Sequence, residues 1–272
     1  MIQHALNDLH LYRRLIAMQV RAQAQYRASL ALDIATYFGV TALEFSVVLI
    51  VFGRFPTLLG WRLGEVALLY AFLSLTFGTG ELVGAGIDNF AETIRRGEFD
   101  RVLLRPVGVL TQVVGSDFRL RRLGRLTQGA IAFALALRWL PDLRWTPAKL
   151  ALLPLGIASG AAVFLAILLL GATLCFWTVE TTELTNVLYY GGREMMSWPM
   201  SIYAPSLQRI FLFVVPVAFG TYVPVCVILG RALPFGMPAA WAFAAPLAAG
   251  LFALVAMAVW RLGIAHYQST GS

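Results

Sequence analysis

The 272-residue chain has one lysine, two cysteines and three histidines, and only 13% of it is charged. Each scarcity closes off a class of chemistry. The phosphate-binding loop of an ATPase needs a glycine-rich turn and then a lysine that reaches the phosphates. Lys149 sits in WTPAKL with no glycine near it, so this polypeptide cannot supply that loop. His4, His10 and His266 lie near the termini, outside the apolar runs, which weighs against histidine as a base or metal ligand at mid-membrane depth. CxxC, HExxH and GxSxG spacings are absent, so neither a metal motif nor a nucleophile elbow is visible. Cys175 and Cys226 fall inside apolar runs and read as small core residues rather than a disulfide or redox pair. The opening MIQHALNDLH lacks the basic-then-apolar order of a signal peptide, so no cleavage is expected.

What is abundant is apolar surface. Hydrophobic residues make up 59% of the chain and mean hydropathy is +0.75, which places it in the membrane class. Six stretches approach the roughly 20 apolar residues a spanning helix needs: 29–52, 64–87, 125–140, 150–179, 207–230 and 238–261. The third is short, the fourth long, and Pro216 and Pro224 interrupt the fifth, leaving it kinked or split into half-helices. Six spans put both termini on one side. Fifteen basic residues fall on that side and six on the other, so the termini and the 88–124 loop are expected in the cytoplasm. The net charge of +7 is then explained by loops facing an anionic leaflet rather than by nucleic acid. No linker or repeat divides the chain. The expected fold is an all-α polytopic membrane protein, one domain over 1–272.

Residues 2–27 are helical in pattern but too polar to span. Gln3, Asn7, His10, Arg14, Arg21 and Gln25 form a polar stripe, with Leu9, Tyr12, Ile16 and Val20 opposite. This reads as an amphipathic interfacial helix over 1–28, with a short soluble helix as the alternative. In span one, Asp33 and Glu44 are eleven residues apart, within about 20° of one helix face and roughly 16 Å apart along the axis. Glu44 falls near mid-span, where a carboxylate costs on the order of 3 kcal/mol. It either lines a pathway, pairs with an arginine or backbone donor of a neighbouring helix, or is protonated. Glu81 lies in the glycine-rich run TFGTGELVGAGI, where Gly80 and Gly84 read as a close-packing pair, as do Gly156 and Gly160 in span four.

The loop from Asp88 to Gly124 departs from this apolar background. Within RRGEFDRVLLRPVG, Phe99, Val102 and Leu103 alternate with Glu98, Asp100, Arg101 and Arg105 in a helix of about two turns stopped at Pro106. Too short to be stable alone in water, it must be held by docking.

The segment Gly97-Glu98-Phe99-Asp100-Arg101-Val102-Leu103-Leu104-Arg105-Pro106 resembles that of type-2 ABC (ATP-binding cassette) exporter permeases, in particular a bacterial six-span subfamily. The run Arg121-Arg122-Leu123-Gly124-Arg125 entering span three, FWTVE at 176–180 and the Pro216–Pro224 region are also similar. The resemblance implies six spans after an interfacial helix, in the bacterial inner membrane. It implies that 97–106 is a coupling helix docking on a separate ATP-binding subunit, with Phe99 and Leu103 as apolar knobs and Glu98, Asp100, Arg101 and Arg105 as charged contacts. Two permease subunits, identical or homologous, would form the pathway above two ATPase subunits, which would bind the ATP and magnesium; this chain would carry no cofactor of its own and would not be an enzyme. Asp100→Arg is expected to uncouple ATP hydrolysis from transport. Glu44, Glu81 and Asp33 are the candidate pathway residues. A rival class is an ion-coupled secondary transporter using Glu44 and Asp33, and a lipid-modifying membrane enzyme is a third.

Overall fold

The computed structural model describes residues 2–178 and 182–267, with the side chains of 2–9 and 182–185 outside the description. The side chains of Gln3, Asn7 and Leu9 of the expected stripes, and the whole of Val179 and Glu180 of FWTVE, thus lie outside the description. Helix α1 (Ile2–Ala24) turns at Gln25–Tyr26 into α2 (Arg27–Arg54). A tight turn at Leu59–Gly60, closed by paired backbone bonds of 2.9 Å between Leu58 and Trp61, leads to α3 (Leu63–Asp88). The loop that follows is built of short pieces: α4 (Phe90–Arg95), α5 (Phe99–Leu103), α6 (Val109–Gly115) and a turn at Leu120–Arg122. Then come α7 (Leu123–Arg138), α8 (Pro147–Leu174) and α9 (Thr182–Met196). The rest is α10 (Pro205–Arg209), a π-helical turn (Ile210–Val214), α11 (Val217–Gly220), α12 (Tyr222–Leu229) and α13 (Ala245–His266).

Four helices among the described residues are long and apolar enough to cross a membrane: Arg27–Arg54, Leu63–Arg95, Pro147–Leu174 and Ala239–His266. Two of the six expected spans differ from this pattern. The third, α7, has 16 residues, about 24 Å at 1.5 Å per residue, and stops just ahead of Pro141, whose predecessor is driven out of helical geometry. The fifth is neither one kinked helix nor two halves but three helical stretches, α10 running unbroken into the π-helical turn. Breaks fall at Val215–Pro216 and at Thr221 (φ −126°, ψ −72°), while Pro224 sits harmlessly in the first turn of α12, where its missing N–H has no helical partner to lose. Such broken backbone is tolerated at membrane depth only where protein surrounds it. All four residues of α11 are indeed buried.

Helices α3 and α8 form the centre. They are apolar on every side and buried over most of their length, as an inner helix must be. Their glycines are spent inside the chain. Gly80 lies against Phe164 and Ala161, and a methyl group at Gly84 would come within 2.8 Å of Leu165. Gly160 meets Gly220 of α11 backbone to backbone, since a methyl on Gly220 would stand 2.3 Å from the Gly160 Cα. Helices α2 and α13 lie outside, with Leu32, Leu43, Ile50, Leu247, Leu251 and Leu254 exposed.

Helix α1 is tied to the loop rather than free. The Gln19 side chain donates to the Ser116 carbonyl at 3.0 Å, and Gln23 donates to the Phe118 carbonyl while accepting from the Leu120 N–H at 2.9 Å. Tyr12 and Leu15 close over Gly115. Tyr12, Ile16 and Val20 are half-buried and Arg13, Arg14 and Arg21 exposed, as the amphipathic pattern requires.

Candidate functional site: the 97–106 loop and the charges behind it

Gly97 sets the geometry of the loop. Its φ of +66° is left-handed, and around it the end of α4 closes with two bonds: Gly97 N–H to the Ile94 carbonyl (3.0 Å) and Glu98 N–H to the Thr93 carbonyl (3.1 Å). This is the glycine-dependent helix stop that reverses the chain and lets a new helix start at once. Helix α5 is only Phe99–Leu103, shorter than the two turns expected, and Pro106 follows its end.

The expectation that docking holds this helix is met by the chain itself. Phe99 is 0% exposed. Its ring lies edge-on to Phe90 (5.2 Å) and Tyr267 (4.9 Å) and tilted against Phe176 (5.4 Å), and Phe90 and Phe176 both contact Trp260. Five rings from α4, α5, the end of α8, α13 and the residue after it therefore enclose one another, each such pair adding about 1 kcal/mol beyond burial. Behind the helix, the buried Gln112 amide donates to the Val102 and Val107 carbonyls, both at 3.1 Å. Burial, and then the adjacent Asp100 carboxylate, raise the Tyr267 hydroxyl above its ordinary range.

The remaining residues of the segment divide by face. Phe99, expected as an outward knob, points into its own protein, and Gly97, Asp100 and Val102 are half-buried. Glu98, Arg101, Leu103, Arg105 and Pro106 are exposed, and Leu104 stands out with 85% of its surface free.

The intramembrane carboxylates lie in a connected set of charges. Glu44 on α2 pairs with Arg125 of α7 (3.2 Å) and with Arg193 of α9, and accepts from the Tyr70 hydroxyl at 3.4 Å. Glu81 on α3 takes Arg125 Nε at 3.0 Å and the Tyr37 hydroxyl at 2.9 Å. The Phe77 ring lies beneath both guanidiniums, 5.3 Å from Arg125 and 5.4 Å from Arg193. Toward the loop, Arg122 joins Asp88 (3.0 Å) and the Glu81 carbonyl, and Asp117 binds Asn89 and Arg119. Arg193 also meets the exposed Glu194 at 2.7 Å, so both buried guanidiniums of the inner set have carboxylate partners, the condition under which charge is held in a low-dielectric interior. Of the options open for Glu44, the structure displays the arginine pair. Asp33 is not part of the set: it is exposed and lines a cavity of about 500 Å³ with Tyr26, Arg119 and Arg121.

Sequence reasoning missed the partners. Arg125 and Arg193 count as loop charges in a linear reading, yet both are buried. The available signal is an arginine inside or at the mouth of an apolar run, with a carboxylate in another run. The same signal marks Arg231, which follows a left-handed Gly230 (φ +71°) and clasps Glu65 at 3.0 and 2.7 Å while lying 4.2 Å above the Trp61 ring.

A family model described as "ABC-2 family transporter protein" matches residues 38–271. No curated protein and no solved structure matches the chain.

Proposed function

The chain belongs to the ABC-2 transporter family and is by that membership the membrane permease component of an ABC transporter, and from this premise we propose that it is an exporter subunit docking through residues 97–106 on a separate ATP-binding subunit. The observation that carries the proposal is the split character of the segment. Phe99 anchors it toward the end of α8 and α13 from within, while Leu104, Arg101 and Arg105 are exposed among the described residues. A lever needs both a fixed end and a free surface. Exposed leucine flanked by arginines fits an acidic-rimmed apolar cleft on the ATPase.

In this reading two permeases, identical or homologous, assemble above two ATPases that bind ATP and magnesium. The exposed leucines of α2 and α13 face lipid or the second permease. Six crossings, with α7 and the α10–α12 series as the irregular ones, place both termini in the cytoplasm of a bacterial inner membrane, with α1 lying at its surface. Support for that orientation survives the burial of Arg122, Arg125 and Arg193: without them twelve basic residues remain on the loop side against six. The cargo is an amphiphile or lipophile. Glu44, Glu81 and Asp33 remain candidates for its path, with Glu44 and Glu81 acting through the arginines that hold them. Proton-coupled transport is disfavoured because Glu44 is bound between two guanidiniums and Asp33 stands apart from it.

The deciding experiment is co-purification with an ATPase carrying GxxxxGK[ST] from a neighbouring gene, followed by its ATPase rate with and without the permease. Leu104→Asp with Arg105→Glu is expected to abolish association while the permease still inserts and melts normally. Undiminished association of that variant would remove the docking assignment.

A further inference from the structure

At the end of α3 opposite the 88–124 loop, a cavity of about 280 Å³ lies among Arg62, Trp139, Asp142, Arg144 and Lys149. Its charge is unbalanced. Glu65, also on the wall, is already engaged by both nitrogens of Arg231 and by the Arg62 backbone N–H at 2.7 Å. That leaves the Arg62 side chain with only a 3.9 Å approach to Glu65, and Arg144 and Lys149 form no ion pair among the described residues. Three cations thus share the cavity with Asp142 as the one carboxylate not committed elsewhere. Charge statistics disfavour arginine and lysine on the side away from the cytoplasm. A group of three around one cavity there calls for a specific counter-anion.

We infer that this cavity binds the phosphate headgroup of an anionic phospholipid in the leaflet away from the coupling loop. Exposed apolar side chains beside the charged lining favour a lipid over a free anion. Trp139 contributes to the wall and is partly exposed, and Leu150, next to Lys149, is more than half exposed. Tryptophan at the level of basic side chains marks the headgroup region of a bilayer. The volume is below the roughly 300–1,000 Å³ of sites that enclose a drug-sized molecule, so a headgroup enters while acyl chains stay outside along Trp139 and Leu150. The cavity is bounded by the start of α3, the segment after α7, the first turn of α8 and the end of α12, so a bound lipid would bridge four parts of the bundle.

The test is native mass spectrometry of the purified full-length chain in detergent, titrated with phosphatidylglycerol and, separately, with diacylglycerol of the same acyl chains. Phosphatidylglycerol adducts should be retained and diacylglycerol adducts lost. Arg144→Gln with Lys149→Gln should weaken phosphatidylglycerol binding on the order of tenfold, and Arg62→Gln alone by a smaller factor. All three side chains are exposed or half-buried, and a melting curve checks that the variants fold. Arg121→Gln, in the cavity at the other end, should change nothing. Equal binding of the two lipids, or undiminished phosphatidylglycerol binding by the folded double variant, overturns the inference. So does displacement of the lipid by glycerol 3-phosphate at equal concentration, which would mark a site for a soluble phosphate. No ATPase is present in the measurement, so failure of the docking proposal leaves its outcome untouched.

Discussion

Glu44 on α2 and Arg193 on α9 form an ion pair across 149 residues of sequence, with Arg125 of α7 on the other side of the same carboxylate oxygen. Helices α2 and α7 already pack on one another, and this one carboxylate joins α9 to both. Removing one partner leaves charge in a poorly solvated place, which costs more than the pair contributes when whole. Glu44→Gln is expected to lower stability by about 1–3 kcal/mol, the Glu44 side chain being partly exposed. Arg193→Gln should do the same, and the double variant should lose clearly less than the sum. Melting in detergent through a double-mutant cycle measures this; a coupling near zero would mean that the pair contributes nothing.

The two faces of the 97–106 segment should separate in mutants. Phe99→Ala empties the centre of the five-ring cluster and should cost about 3–5 kcal/mol. Leu104, 85% exposed, should tolerate alanine within about 0.5 kcal/mol. Thermal melts of the permease alone check both. A stable Phe99→Ala protein would show that the cluster does not hold the segment.

Arg231 and Glu65 offer a test at the far end. Arg231→Ala strands a buried carboxylate and should destabilise by about 3 kcal/mol. Arg231→Lys keeps the charge but loses the two-nitrogen grip and the flat contact over Trp61, so it should recover only part of the loss. Full recovery by lysine would reduce the contact to simple charge.

Gly220→Ala places a methyl group where Gly160 of α8 already lies. A cost of about 1–3 kcal/mol or more is expected, because backbone rather than a pliable side chain must yield. Gly250→Ala, which meets nothing within 4 Å, is the control. Comparison of folded yield after membrane extraction reads the difference.

Much of this architecture was legible beforehand because it is local. Helices α2, α3, α8 and α13 follow from apolar length, and close packing at Gly80, Gly84, Gly156 and Gly160 from their spacing, though not which helices meet there. The Pro106 stop is local too, whereas the left-handed turn at Gly97 appears only in the structure. Contacts between distant residues left no such mark. Phe99 in a charged helix looks like a surface knob until Phe176 and Tyr267, remote in sequence, close around it. Arg125 reads as the last charge of a loop, and only the fold reveals the two carboxylates waiting for it. The break at Thr221 was obscured by the prolines, since Pro224 drew attention three residues downstream of the actual fault.

The balance among Glu44, Glu81, Arg125 and Arg193 has an electrical consequence. A unit charge carried fully across a membrane exchanges about 2.3 kcal/mol with every 100 mV of potential. Four side chains that sum to zero and move as one body exchange nothing. In a movement that carried these four groups as one body, their contribution to the energy would be the same at any resting voltage. Neutralising Glu44 alone would leave these four positions with a net positive charge, and the same movement would then exchange energy with the field.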